Sequence, residues 1–210
     1  MTRNDRAGSL LCGSADDDLA DAHLELVAAI AEQGATAYDN ARLFSQVQRL
    51  ATTDGLTGIA NRRHFTELAT RQLGLAVRHN RPLAAAMLDI DHFKKINDTF
   101  GHGIGDEVIK AVAAILEGAI RETDVLGRLG GEEFAIILPE ADGDPVEIAD
   151  RLRLAIADTT VTAPSGPVRF TTSVGVAELK PDDTLDSLLR RADEGLYRAK
   201  DGGRNQTQAG

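Results

Sequence analysis

Residues 125–138 read VLGRLGGEEFAIIL, two short apolar pieces set around Gly130-Gly131. Paired glycines accept the unusual dihedrals of a tight turn, and apolar runs on either side complete the signature of a β-hairpin. A hairpin pairs its strands antiparallel, so the sheet containing it is not a pure βαβ repeat. Upstream, Pro82–Ile90 is a continuous apolar run that ends in carboxylates, as suits a strand buried on both faces. Ile104–Arg121 between them has helical periodicity. The expected fold is an α/β sandwich with a central mixed β-sheet flanked by helices.

Further outward the alternation continues. Asp144-Pro145-Val146-Glu147 is a helix start, with a capping carboxylate, proline at the first helical position and glutamate three after the cap. Val168, Phe170, Thr172, Val174 and Val176 alternate as in a half-buried strand, and Asp183–Lys200 is a final helix before Gly202-Gly203-Arg204. On the N-terminal side, residues 51–63 (ATTDGLTGIANRR) break one helix and restart another near Asn61. Residues 19–51 form an amphipathic helix whose seam of Leu26, Ile30, Ala37, Phe44, Val47 and Ala51 is interrupted by Gln33 and Asn40. The chain thus divides into a poorly ordered polar lead-in (1–18), a linker helix (19–51), an α/β domain (52–206) and a short polar tail (207–210).

Composition narrows the function. The net charge of −10, from 33 acidic and 23 basic residues, lacks the clustered cations of a nucleic-acid surface. A small phosphorylated ligand needs only a few well-placed cations and is not excluded. The single cysteine, Cys12, forms neither an internal disulfide nor a cysteine metal site, and one thiol fits a reducing compartment. There is no apolar run of about eighteen residues to span a bilayer and no apolar signal core. The expectation is a soluble, cytoplasmic chain with no membrane or nucleic-acid partner.

Two acidic clusters carry the chemistry. Asp89-Ile90-Asp91 ends the buried strand; a period of two places both aspartates on one face and Ile90 in the core. Carboxylates fixed at a strand end suit a hard divalent cation, although one aspartate could equally cap the next turn. Glu132 and Glu133 follow the glycine pair, and adjacent carboxylates repel unless a cation or polar group compensates. A solvated loop would look the same. The two clusters together say more than either alone.

The motifs resemble, in order, those of the GGDEF diguanylate cyclases. Gly130-Gly131-Glu132-Glu133-Phe134 is similar to the signature loop in its GGEEF form, preceded by Arg128-Leu129. Residues 54–63 (DGLTGIANRR) resemble the opening motif, with Gly55 and Ile59 in place of commoner Pro and Leu. Residues 88–106 (LDIDHFKKINDTFGHGIGD) resemble the metal and guanine segment, Thr172–Val176 the late strand, and residues 196–205 (LYRAKDGGRN) the closing motif. The resemblance spans about residues 50–205.

It implies a metal-dependent condensation of two GTP molecules into cyclic di-GMP and two pyrophosphates. Asp89, Glu132 and the Ile90 carbonyl are implied ligands of two Mg²⁺ or Mn²⁺ ions per active site. Glu132 is the implied proton acceptor, and Glu133 contacts metal or shapes the loop. Asn97 and Asp106 are implied guanine readers, since a carboxylate accepting from guanine N1 and N2 hydrogens cannot do so from adenine. His102 matches a substrate-contacting position. His92, Phe93 and Lys94 resemble the turn that cradles the triphosphate, and Lys200 and Arg204 the cations on its terminal phosphates. Arg121 and Asp124 fit the family's RxxD product-inhibition site, with Arg153 as a second arginine from the following helix.

Because the product has two phosphodiester bonds and each domain holds one GTP, two half-sites must face each other in a homodimer. Residues 24–50 also resemble the closing helix of a GAF sensory domain, so an upstream sensor is expected to be missing from this chain. The alternative reading is a catalytically silent module that binds GTP or cyclic di-GMP as an effector. An intact signature loop and an intact Asp89 favour the enzyme.

Overall fold

The computed structural model describes residues 17–141 and 143–210; the lead-in through residue 16, with Cys12, lies outside them. The chain forms two compact units that divide between Arg49 and Leu50. Helix α1 (Asp17–Thr52) makes up the described part of the first and ends just past the division, beginning two residues before its expected start. Along it Ile30, Tyr38, Leu43 and Phe44 are exposed. No helix among the described residues is long and apolar enough to cross a membrane.

The second unit runs through β1 (Ala60–Asn61), α2 (Arg62–His79), β2 (Leu83–Ile90), α3 (Phe93–Phe100), α4 (His102–Ala119), β3 (Val125–Gly130) and β4 (Glu133–Pro139). It continues with α5 (Pro145–Ala157), β5 (Thr160–Ala163), β6 (Gly166–Arg169), β7 (Thr172–Glu178), α6 (Leu185–Asp201) and β8 (Thr207–Ala209). The main sheet has the order β1-β3-β4-β2-β7-β8. Its two outer pairings are parallel and the inner ones antiparallel, so the sheet is mixed.

Period-two alternation along β2 feeds two cores. Ala84, Ala86, Leu88 and Ile90 face one side with Val108, Val112 and Leu116 of α4 and Leu152 and Ile156 of α5. Ala85 and Met87 face the other with Phe65 of α2 and Leu188, Ala192 and Leu196 of α6. Every residue of β2 is buried, as its apolar run requires. Helix α6 lies so close to the sheet that a Cβ on Gly175 would overlap the Ala192 carbonyl oxygen and the Leu196 amide nitrogen. Asp144 caps α5 by accepting from the Val146 amide, with proline in the first turn.

Three expectations change. Val168 lies on β6, which pairs with β5 in a separate two-stranded hairpin; only Thr172 onward joins the main sheet. There β7 sits between β2 and β8 with its residues buried through Ala177 rather than half-buried, because helices cover both faces. Residues 93–100, read only as a turn at their start, form helix α3, its apolar Phe93, Ile96 and Phe100 spaced for one face. Finally, residues 207–209 are no tail: they extend the sheet as β8, and the Gly210 amide donates to the Val176 carbonyl at 2.6 Å.

Candidate active site

The hairpin β3–β4 and the end of β2 are brought together by register. Asp89 lies opposite Glu133, and the Ile90 amide donates to the Glu132 carbonyl at 3.4 Å. The hairpin slips register between Arg128 and Gly130, a bulge that re-aims the loop. Its turn needs glycine: Gly130 and Gly131 have φ of 148° and 53°. Phe134 anchors the loop from beneath, fully buried.

The opening motif holds this loop from outside. Arg62 Nε donates to the carbonyl of bulged Leu129 at 2.7 Å. Arg128 Nε and Nη2 grip the Gly131 carbonyl at 3.0 and 2.7 Å, while Nη1 reaches Asp54 Oδ1 at 2.9 Å. Asn61 caps α2 by accepting from the His64 amide and donates from Nδ2 to the Ala51 carbonyl at 3.0 Å. Sequence reading noted these residues as a resemblance only.

Asp89 is almost wholly buried and pairs with Lys200 Nζ of α6 at 2.8 Å. Burial pushes its carboxyl above the ordinary range; Lys200 opposes this, and the nearby charges of Glu132 and Glu133 add to it. The site therefore concentrates negative charge around one buried carboxylate. Among the described residues no three His, Cys, Asp or Glu side chains already converge on one point. The donor chemistry nonetheless fits a divalent cation: oxygen ligands with excess negative charge, which the chain itself offsets with Lys200. Lys200, expected on terminal phosphates, here serves as that countercharge.

Asp91 behaves differently from its neighbour. Buried just beyond β2, it accepts from Ser173 Oγ at 2.6 Å, Thr171 Oγ1 at 2.7 Å and the Asn205 amide at 3.0 Å. His92 then takes a left-handed conformation (φ 55°) and starts α3, with Phe93 half-buried and Lys94 exposed. Asn97 of α3 packs against Gly105 of α4, where a Cβ would overlap its side-chain oxygen. That oxygen, Asn97 Oδ1, is buried without a hydrogen-bond partner. Asp106, next along α4, is exposed, as is His102 at the helix start. Arg204 is exposed in the loop after α6.

The RxxD segment is a closed turn. The Arg121 amide donates to Asp124 Oδ2 at 2.9 Å, and the Asp124 amide to the Arg121 carbonyl at 3.0 Å. Burial raises the Asp124 carboxyl pKa against the lowering effects of that bond and of the Arg121 charge. A shallow pocket here is lined by Arg121, Asp124, Leu138, Ile148 and Arg151. The arginine contributed by α5 is therefore Arg151. Arg153, the expected one, projects elsewhere: it forms two bonds to Asp150, at 2.7 and 3.2 Å, and one to Asn205 Oδ1 at 2.7 Å. Two residues on a helix differ by about 200° in direction, which separates the two arginines.

Comparisons with known proteins agree with this geometry. Residues 51–206 match the family described as diguanylate cyclase, GGDEF domain. The response regulator PleD of Caulobacter vibrioides (strain NA1000 / CB15N) is 44% identical over 160 residues, 74% of this chain and 35% of PleD. The probable diguanylate cyclase DgcC of Escherichia coli K12 is 42% identical over 167 residues, 78% of this chain and 44% of DgcC. The chain thus spans less than half the length of these curated relatives. The coiled coil and GGDEF domain of DgcB from Caulobacter crescentus, solved in complex with c-di-GMP, aligns with a TM-score of 0.80 at 36% identity. That alignment covers 88% of this chain and 99% of the DgcB chain. The active GGEEF domain of a diguanylate cyclase from Vibrio cholerae aligns at 0.66 with 33% identity, over 71% of this chain and 96% of that one. A sheet that sets Asp89 opposite the glycine-pair loop, and a matched segment covering most of the chain, lead to one conclusion: this chain belongs to the GGDEF diguanylate cyclase family.

Proposed function

We propose that the chain condenses two GTP molecules into cyclic di-GMP and two pyrophosphates. The observation that carries this reading is the register placing Asp89 opposite Glu133, with Lys200 on the Asp89 carboxylate. Each 3′-oxygen attacks the α-phosphorus of the other GTP, the bond from that phosphorus to the bridging oxygen breaks, and pyrophosphate leaves. The 3′-hydroxyl proton passes to the Glu132 carboxylate. Two Mg²⁺ or Mn²⁺ ions held by Asp89, Glu132 and the Ile90 carbonyl would supply Lewis-acid stabilisation of the phosphate oxygens and of the attacking oxygen.

The chain's own groups do the rest. Lys200, released from Asp89 once that carboxylate is otherwise neutralised, binds the terminal phosphates together with Arg204. The backbone amides of the turn at His92, Phe93 and Lys94, together with the lysine, cradle the triphosphate. Asn97 Oδ1 lacks a donor, which guanine supplies beside Asp106. Reaction needs two half-sites face to face, so the active species is a homodimer, with α1 as the linker helix from a GAF-like sensor. Product inhibition is assigned to Arg121 and Asp124, with Arg151 in the place first given to Arg153.

The test is incubation with GTP and Mg²⁺ followed by chromatographic separation of products. Cyclic di-GMP and pyrophosphate in a ratio of one to two, abolished by chelation, support the proposal. GTP bound but returned unchanged would instead favour the effector module.

A further inference from the structure

The loop after α6 carries Arg204 in a backbone that ordinary residues avoid. Gly203, Arg204 and Asn205 have φ of 115°, 67° and 44° in succession. A left-handed conformation costs a non-glycine residue roughly 1–2 kcal/mol, less for asparagine, and two in a row persist only where neighbours hold them. The holders are identifiable. The Arg204 amide donates to the Ala199 carbonyl at 2.9 Å, the Asn205 amide to Asp91 Oδ2 at 3.0 Å, and Arg153 Nη1 to Asn205 Oδ1 at 2.7 Å.

The two side-chain holders are themselves fixed. Asp91 is 4% exposed and takes the Ser173 and Thr171 hydroxyls of the β7 strand and its lead-in. Arg153 is locked by two bonds to Asp150, whose Oδ1 also accepts from Thr207 Oγ1 of β8 at 3.0 Å. Asn205 is therefore gripped by main chain and side chain at once, from two elements that are far apart in sequence. Beside these anchors the Arg204 side chain is exposed. Asp91 also stands two residues from Asp89, so one strand end fixes both the acidic centre and the cationic loop.

We infer that Asp91, Asn205 and Arg153 are positioning residues that pre-shape the Arg204 loop to receive a nucleoside triphosphate's terminal phosphates; this rests on the GTP reading above. They touch no substrate themselves. Their work is to hold Arg204 in a conformation that substrate binding would otherwise have to impose, and pre-organisation of this kind strengthens binding without changing the chemistry.

The experiment compares Arg153→Ala and Asn205→Gly with the wild type, using the full chain with Mg²⁺. Asn205→Gly is the safer variant: the residue is exposed, glycine takes φ of 44° freely, and the amide bond to Asp91 is kept. Calorimetry measures binding of guanosine 5′-(α,β-methylene)triphosphate and, separately, of GMP, which lacks the terminal phosphates. Both variants are expected to weaken the triphosphate analogue by about tenfold, the scale of one charge-assisted hydrogen bond. GMP affinity should change by less than about twofold, and KM for GTP should rise while kcat stays within about threefold.

Unchanged analogue affinity in both variants would overturn the inference, as would equal weakening of GMP. Loss of product inhibition in Arg153→Ala with normal analogue affinity would also overturn it, returning Arg153 to the inhibitory site. If the wild type binds the analogue tightly but makes no cyclic di-GMP, the cyclase reading fails and the positioning role still stands on the binding data. A wild type that does not bind the analogue contradicts both.

Discussion

Arg128 Nη1 donates to Asp54 Oδ1 at 2.9 Å, while the same guanidinium holds the Gly131 carbonyl. The turn just after α1 and the glycine-pair loop are thereby one mechanical piece. Asp54 is satisfied on its other side by the Thr57 amide at 3.0 Å and hydroxyl at 2.7 Å. Burial opposes its ionisation, but the bonds from Arg128 and Thr57 outweigh burial and hold its carboxyl below the usual range.

Arg128→Met should therefore destabilise the domain at neutral pH by about 2 kcal/mol, since it leaves a partly buried carboxylate and a carbonyl without their donor. The sign with pH follows from the lowered pKa. The contribution is present above the unfolded carboxyl pKa and is lost as pH falls through the folded one. Chemical denaturation of both proteins at neutral pH and below about pH 4 checks this. The gap between them should narrow in acid, leaving the share that belongs to the Gly131 carbonyl.

Asp89→Asn should abolish turnover without lowering thermal stability. The buried carboxylate is held above its ordinary pKa by burial and by Glu132 and Glu133, so its charge is a net burden that function retains. Thermal unfolding in chelator should give a Tm equal to or above the wild type. Turnover should fall by at least about 100-fold.

Gly175→Ala should disrupt the sheet–helix interface. The new methyl would overlap backbone atoms of Ala192 and Leu196, which have no rotamer by which to yield. A loss of about 3 kcal/mol or failure to fold is expected, read by denaturation or by soluble yield. Gly34→Ala in α1, where a Cβ meets nothing, should not destabilise the protein.

Arg151→Ala should relieve inhibition by added cyclic di-GMP while leaving the initial rate within about twofold, because the residue lines the Arg121–Asp124 pocket and not the acidic centre. Arg153→Ala should keep inhibition. A dose–response to product in each variant decides between the two arginines.

Much of this was legible in the sequence, for identifiable reasons. The β2 run announced itself because a doubly covered strand must be apolar throughout. The hairpin announced itself because its turn needs glycine. Asp144 was readable as a cap because short polar side chains satisfy free amides at helix starts. What failed depended on partners remote in the chain. Thr207–Ala209 is polar and short, and becomes a strand only because β7 offers it an edge. Asp91 looked equivalent to Asp89 by strand period. Its true partners are 80, 82 and 114 residues away. Arg153 was placed by its helix and not by its direction on that helix, which only packing reveals.

The most direct test of the central claim is the rate of cyclic di-GMP formation from GTP and Mg²⁺ as protein concentration is raised, beside a Glu132→Ala control. The account predicts product that rises faster than in proportion to protein, as two half-sites meet, and none from the control. Product strictly proportional to protein at all concentrations, or undiminished in Glu132→Ala, would contradict it.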